Sequence, residues 1–163
     1  MDAIQLLTSQ HRSLEGAFDD VLADGIDDDA RTTRLARAGD ELMIHITAEE
    51  QLFYPAVNAR RTEDVLLESL EEHLSLKRLL ADLLELEPGD VTFTAKVKVL
   101  AEQAAHHHKE EEQHLFPKVL GLLDVGHRSQ LGSEMLALEQ RLMAAGNPRD
   151  AVRRQTDSAE PLR

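Results

Sequence analysis

"HITAEEQLFYP" (residues 45–55) and "HHKEEEQHLFP" (residues 107–117) are two versions of one segment. Each sets a histidine four residues before a glutamate, His45/Glu49 and His107/Glu111, and each ends on a proline, Pro55 or Pro117. Residues four apart share one face of a helix. The offset between the copies is 62 residues, and it reaches beyond the segment. His11 maps onto His73, "HRSL" (11–14) onto "HLSL" (73–76), and Glu50 and Gln51 onto Glu112 and Gln113. The chain therefore reads as one helical hairpin written twice, over about 1–61 and 63–121.

Apolar residues recur at helical spacing in each half. Ile4, Leu7, His11, Leu14, Phe18 and Val21 form one stripe, in a helix expected over about 2–23. A second helix is expected over about 30–60, with an Asp near 28–29 as its N-cap. A third follows Thr62, itself read as an N-cap, and carries Leu66, Leu70, His73, Leu76 and Leu80. "EPGD" (87–90) interrupts the pattern before a fourth helix over about 91–120. Leu131, Met135, Leu138 and Leu142 predict a shorter helix over about 127–145, closed by Gly146 and Pro148. The expected fold is all-α, an antiparallel up-down-up-down four-helix bundle with a fifth C-terminal helix. It forms one domain over 1–146, followed by a flexible polar tail over 147–163.

The spacing brings the histidines together. His11 and His45 are centred on Asp28, His73 and His107 on Asp90, and His45 and His73 on Ala59, each near an expected turn. All four return to one height in the bundle, with Glu49 and Glu111 one turn from their histidines. A single inward histidine is usually a hydrogen-bonded core residue. An inward, unpaired carboxylate is much more costly, and few cations share these stripes, Lys77 being the main one. A pair of metal ions resolves the conflict, each taking two imidazoles, with Glu49 and Glu111 bridging. Imidazole and carboxylate without sulfur point to iron or manganese.

Composition narrows the field further. There is no cysteine, which excludes disulfides, thiolate metal sites and cysteine nucleophiles. The formal net charge of -13 disfavours nucleic acid and anionic membranes as partners. The N-terminus lacks a signal-peptide pattern and no apolar run approaches bilayer length, so a cytoplasmic location is expected. Oligomeric state is left open.

The pattern His11, His45-x3-Glu49, His73, His107-x3-Glu111 resembles the hemerythrin-like, or HHE cation-binding, family over about residues 4–120. The resemblance implies two iron ions in an oxo- or hydroxo- and carboxylate-bridged centre, with the six residues as metal ligands. Oxygen-carrying members have a second histidine one turn after the third-helix histidine, where this chain has Lys77, and its repeat counterpart is Glu15. They also carry His-x4-Asp on the fourth helix, where this chain has His-x3-Glu. The arrangement is closer to bacterial and mycobacterial members with the H-HxxxE-H-HxxxE pattern. What that implies is an enzyme reacting with hydrogen peroxide or dioxygen, catalase-like or peroxide-linked. The alternatives are an O2 or NO binding or sensing module and an iron-handling protein. Ferritin-like oxidases use Glu-x2-His instead.

Several residues stand beside this set. Tyr54, whose counterpart is Phe116, is placed to donate a hydrogen bond to a ligand, to bind metal or to supply an electron. Lys77 is placed to pair with a bridging carboxylate or to deliver a proton. Glu50 and Glu112 fall off the ligand face and are read as supporting or solvent groups. His106, His108, His114 and His127 are read as surface or packing residues. Pro55 and Pro117 predict kinks just beyond the metal.

Overall fold

The computed structural model describes all 163 residues, and it is all-helical. Helix α1 spans Ala3–Val21 and α2 spans Asp28–Ala48. The second helical rod continues through a π-helical turn, Glu49–Phe53, into the short α3, Tyr54–Val57. Helix α4 spans Glu63–Leu84 and α5 spans Phe93–Glu110. A second π-helical turn, Glu111–Leu115, leads into α6, Phe116–Leu122. Helix α7 spans Val125–Ala144, and a 3-10 helix, Pro148–Gln155, follows.

Local chemistry sets the boundaries. Asp2 accepts from the Gln5 backbone while the Gln5 side chain accepts from the Asp2 backbone, a reciprocal cap on α1. The cap of α2 is Asp27, just before the expected position, and Asp124 caps α7. Thr62 precedes α4 without capping it. Its hydroxyl donates to the carbonyl of Val57 and accepts from the Ala59 backbone, closing the turn between the two halves. Gly25, at φ 76°, supplies the left-handed residue that lets the chain reverse between α1 and α2.

The two prolines are each accommodated by a widened helical turn. Each follows a π-helical turn that begins on a glutamate of the repeat. The Tyr54 backbone N–H reaches the carbonyl of Glu49, and that of Phe116 reaches Glu111, five residues back. Proline has no N–H and its ring clashes with the carbonyl four residues earlier. Widening the preceding turn removes both conflicts while the rod continues.

In the bundle α1 packs on α2 and α5, and α4 packs on α5 and α2, giving a four-rod square. Its interior has three layers. An apolar cluster that includes Leu14, Phe18, Leu42, Leu80 and Leu100 fills the end holding the α1–α2 and α4–α5 turns. A second, including Leu7, Phe53, Leu66, Leu115 and Met135, fills the other end. A polar layer lies between them. Helix α7, the expected fifth helix, packs against the bundle on α1 and α2.

The segment after Gly146, expected to be a flexible tail, is docked. Val152 is fully buried in the first apolar cluster, against α2 and α4. Arg149 bonds Asp40 through both its backbone and its guanidinium, at 2.9 and 2.7 Å. A buried valine, ion pairs of Arg149 with Asp40 and Arg153 with Glu85, and bonds from Arg78 to the Thr156 and Asp157 carbonyls hold a segment whose composition alone reads as solvated.

Candidate metal centre

Each of the four rods contributes one histidine to the polar layer: His11 from α1, His45 from α2, His73 from α4 and His107 from α5. All are buried, and so are Glu49 and Glu111 at the first position of each π turn. The Nε2 atom of each imidazole faces a carboxylate. His45 Nε2 lies 3.1 Å and His73 Nε2 2.9 Å from Glu49, on opposite oxygens. His11 Nε2 lies 3.4 Å and His107 Nε2 3.5 Å from the same Oε1 of Glu111. His73 and His107 meet through their Nε2 atoms at 3.1 Å.

Behind each ring stands an acceptor for Nδ1. Glu112 faces His11 at 2.8 Å, Gln10 faces His45 at 2.7 Å, Glu50 faces His73 at 2.9 Å and Glu72 faces His107 at 3.2 Å. This outer ring obeys the repeat, since Gln10 maps onto Glu72 and Glu50 onto Glu112. An Nδ1 proton donated outward turns the Nε2 lone pair inward, the tautomer a metal ligand needs. The outer groups are braced in turn. Lys77, fully buried, donates to Glu50 at 2.8 Å. On the other half Arg12 pairs with Glu112 from the surface. Gln10 donates to the buried Glu139 of α7 at 2.7 Å. Of the two roles expected for Lys77, pairing with a bridging carboxylate or delivering a proton, the first is not seen: its partner is Glu50, which in turn faces His73.

Tyr54 is fully buried and sits over the centre. Its hydroxyl lies 2.8 Å from Glu111, 3.1 Å from Glu49 and 3.2 Å from His73 Nε2. Burial, together with Glu111 and Glu49, raises the phenol well above its ordinary pKa, so it stays protonated and donates. Burial pushes the Glu49 carboxyl up, but His45 and His73 outweigh it and hold the group well below the usual range. Burial pushes His73 down, and Glu49 and Glu50 reverse this, raising it to about 10.

Four atoms of this layer have no hydrogen-bond partner: Nε2 of His11, Nε2 of His45, Oε1 of Glu49 and Oε1 of Glu111. Buried polar atoms are almost always satisfied, and four orphans within one ring of donors call for a cation. His11, His45, Glu49 and Glu111 present donor atoms all within 4.8 Å of one another, and Glu49, His73 and His107 form a second such group. The two groups share Glu49, so the donor atoms form one continuous cluster able to hold metal.

Of the two roles expected for His108, surface or packing, the structure shows packing. It is 2 % exposed and stacks parallel to His11, with ring centroids 3.9 Å apart. Burial and the neighbouring imidazoles depress its pKa, leaving the ring neutral. His106, His114 and His127 are exposed, as expected.

The chain matches the family model described as the hemerythrin HHE cation binding domain over residues 2–119. It is similar to the crystal structure of a hemerythrin HHE cation binding domain-containing protein from Mycobacterium kansasii. That likeness has a TM-score of 0.82 at 19 % identity and covers 95 % of this chain and 99 % of the other. A curated relative, a DNA nickase from Nostoc sp. (strain PCC 7120), is 28 % identical over 102 residues. That match takes in 63 % of this chain and spans only 29 % of the relative's length.

Proposed function

Since the chain belongs to the hemerythrin HHE cation-binding domain family, we propose that it holds two iron ions and reacts with hydrogen peroxide, in a catalase-like or peroxide-linked reaction. The observation that supports this reading is the ring of four inward Nε2 atoms around two carboxylates, with four of the donor atoms orphaned. His11, His45, His73 and His107 would be terminal ligands, and Glu49 and Glu111 the bridges. Bound iron would supply the redox couple by which two peroxide molecules become one dioxygen and two waters.

The chain's own residues supply the rest. The outer acceptors fix each imidazole in the ligating tautomer. The two apolar clusters exclude bulk water from above and below the layer. Tyr54 holds its proton 2.8 Å from Glu111, where as a hydrogen-bond donor it orients the carboxylates. Lys77 is a positioning residue, keeping Glu50 charged against His73.

The nicking of DNA belongs to the longer Nostoc protein. A formal net charge of -13 is opposed to a polyanionic partner, so the ligand we assign is a small molecule. No helix is long and apolar enough to cross a membrane.

Metal analysis of purified protein, followed by measurement of O2 evolved from peroxide, tests the reading. Two irons per chain and sustained turnover, abolished in His73→Ala, are expected. A single zinc per chain would overturn the di-iron assignment. A reversible O2 or NO adduct without turnover would replace the enzyme by a binding or sensing module.

A further inference from the structure

We propose that His108 is a third imidazole donor at the His11/His45 position, so that the two cations of the centre are held by unequal ligand sets. The inference rests on the di-metal reading and adds to it a residue outside the repeated ligand pattern.

His108 is enclosed, yet neither of its ring nitrogens has a hydrogen-bond partner. A neutral imidazole carries one N–H and one lone pair. Burying both without partners costs several kcal/mol in an apolar setting, and nothing in the packing demands it. The repeat shows the inexpensive alternative, because the residue in the same place on α2 is Ile46, buried in the apolar cluster. One half of the duplication keeps a hydrocarbon there and the other keeps a ligand-forming ring.

The position of that ring is specific. It stacks on His11 with an interplanar angle of 7° and meets His45 edge-on, with centroids 5.1 Å apart at 77°. His11, His45 and His108 offer nitrogen atoms all within 4.8 Å of one another. His11 Nε2 and His45 Nε2 are themselves among the orphaned atoms. Three buried imidazoles with unsatisfied nitrogens therefore lie close enough together for a single cation to take one nitrogen from each. On the other side, His73 and His107 gain no third imidazole, and Tyr54 is their neighbour instead. The two positions differ by a nitrogen donor on one side and a phenol on the other.

The test is titration of the metal-free full chain with Co(II), read by ligand-field absorption and by NMR of hyperfine-shifted imidazole N–H protons. Wild type should fill in two unequal steps and show signals from five imidazoles. His108→Ile, which copies residue 46, and the polar variant His108→Gln should each weaken one step by at least about tenfold and show four. His106→Ala, on the exposed face, should leave both steps unchanged. Four signals in wild type, or two unaltered steps in folded variants, would overturn the role of His108 while leaving the di-metal centre standing. Failure of wild type to bind Co(II) at all would overturn both. The count of signals in wild type decides the question even if the variants do not fold.

Discussion

Tyr54 has one proton and three polar neighbours, two of them carboxylates proposed to bridge the metals. Its repeat counterpart, Phe116, stacks on His11 with no hydroxyl to offer. Tyr54→Phe therefore removes a hydrogen bond and little volume. We expect folding to be retained and metal affinity or peroxide turnover to fall about 10–100-fold, the usual cost of losing a group that orients ligands. Metal titration and an O2 electrode check it. Glu50 carries two partners, His73 Nδ1 and the buried Lys77. Glu50→Ala strands the ammonium and should destabilise the protein by about 3–5 kcal/mol in denaturant unfolding. Adding Lys77→Met should recover part of that loss, a coupling that only contacting residues show. His73 titrates near 10 in the metal-free protein, against an ordinary value of 6.5. Its stabilising contribution is thus fully present below the ordinary value and is lost as pH rises through about 10. A cation must displace this proton, so uptake near neutral pH should release protons and weaken in acid. Calorimetric titration in buffers of different ionisation enthalpy measures the release, and an enthalpy independent of buffer would contradict it.

Among the elements, the π-helical turns do most to shape the centre. Each puts its glutamate where the helix widens, and the proline four residues after Gln51 or Gln113 makes the α-helical register unfavourable there. Pro55→Ala restores an N–H for the Gln51 carbonyl. It should let the turn relax toward α geometry and rotate Glu49 out of line. The expected outcome is weaker metal binding with unfolding stability changed by less than about 1 kcal/mol, seen by metal titration beside a denaturant curve. Much of this scale was legible in the sequence. The hairpin repeat marks the four rods, and the i, i+4 pairs mark which histidines and glutamates share a face. Proline alone, however, does not reveal the π turn, because a clash at one carbonyl can be relieved in more than one way. His108 escaped for a related reason. It lies about 100° around the helix from His107, outside the face the pattern selects. Helix α5 is wedged between α1 and α4, so a wider arc of it is inside than a single stripe predicts. Gln10 and Glu72 were visible only as residues preceding the ligand histidines, with nothing local to show that they turn towards the opposite rod.

At the scale of the molecule, the polar layer depends on the two apolar clusters closing over it, and the far one is completed by α7. That helix approaches the chain start closely at Gly132. A methyl there would stand 2.7 Å from the carbonyl oxygen of Met1 and 2.9 Å from the backbone nitrogen of Ala3. Gly132→Ala should push α7 outward and cost about 1–3 kcal/mol. It should also loosen the bond from Glu139 to Gln10, and with it the support of His45. Thermal unfolding and metal affinity should fall together. The tail after Gly146 shows the limit of composition as a guide: its order comes from contacts with α2 and α4 that no local pattern encodes.

The outer acceptors have a consequence for how the molecule is assembled. His11 of the first hairpin is braced by Glu112 of the second, and His73 of the second by Glu50 of the first. Neither hairpin can complete its own half of the centre. The chain thus has the internal pairing of two matched hairpins joined end to end, with residues 58–62 as the seam. The joining is what allows the halves to diverge: two separate identical chains would have to carry tyrosine in both places or in neither. A single chain can keep Tyr54 opposite Phe116, and His108 opposite Ile46, and so make the two halves of the proposed metal centre unlike.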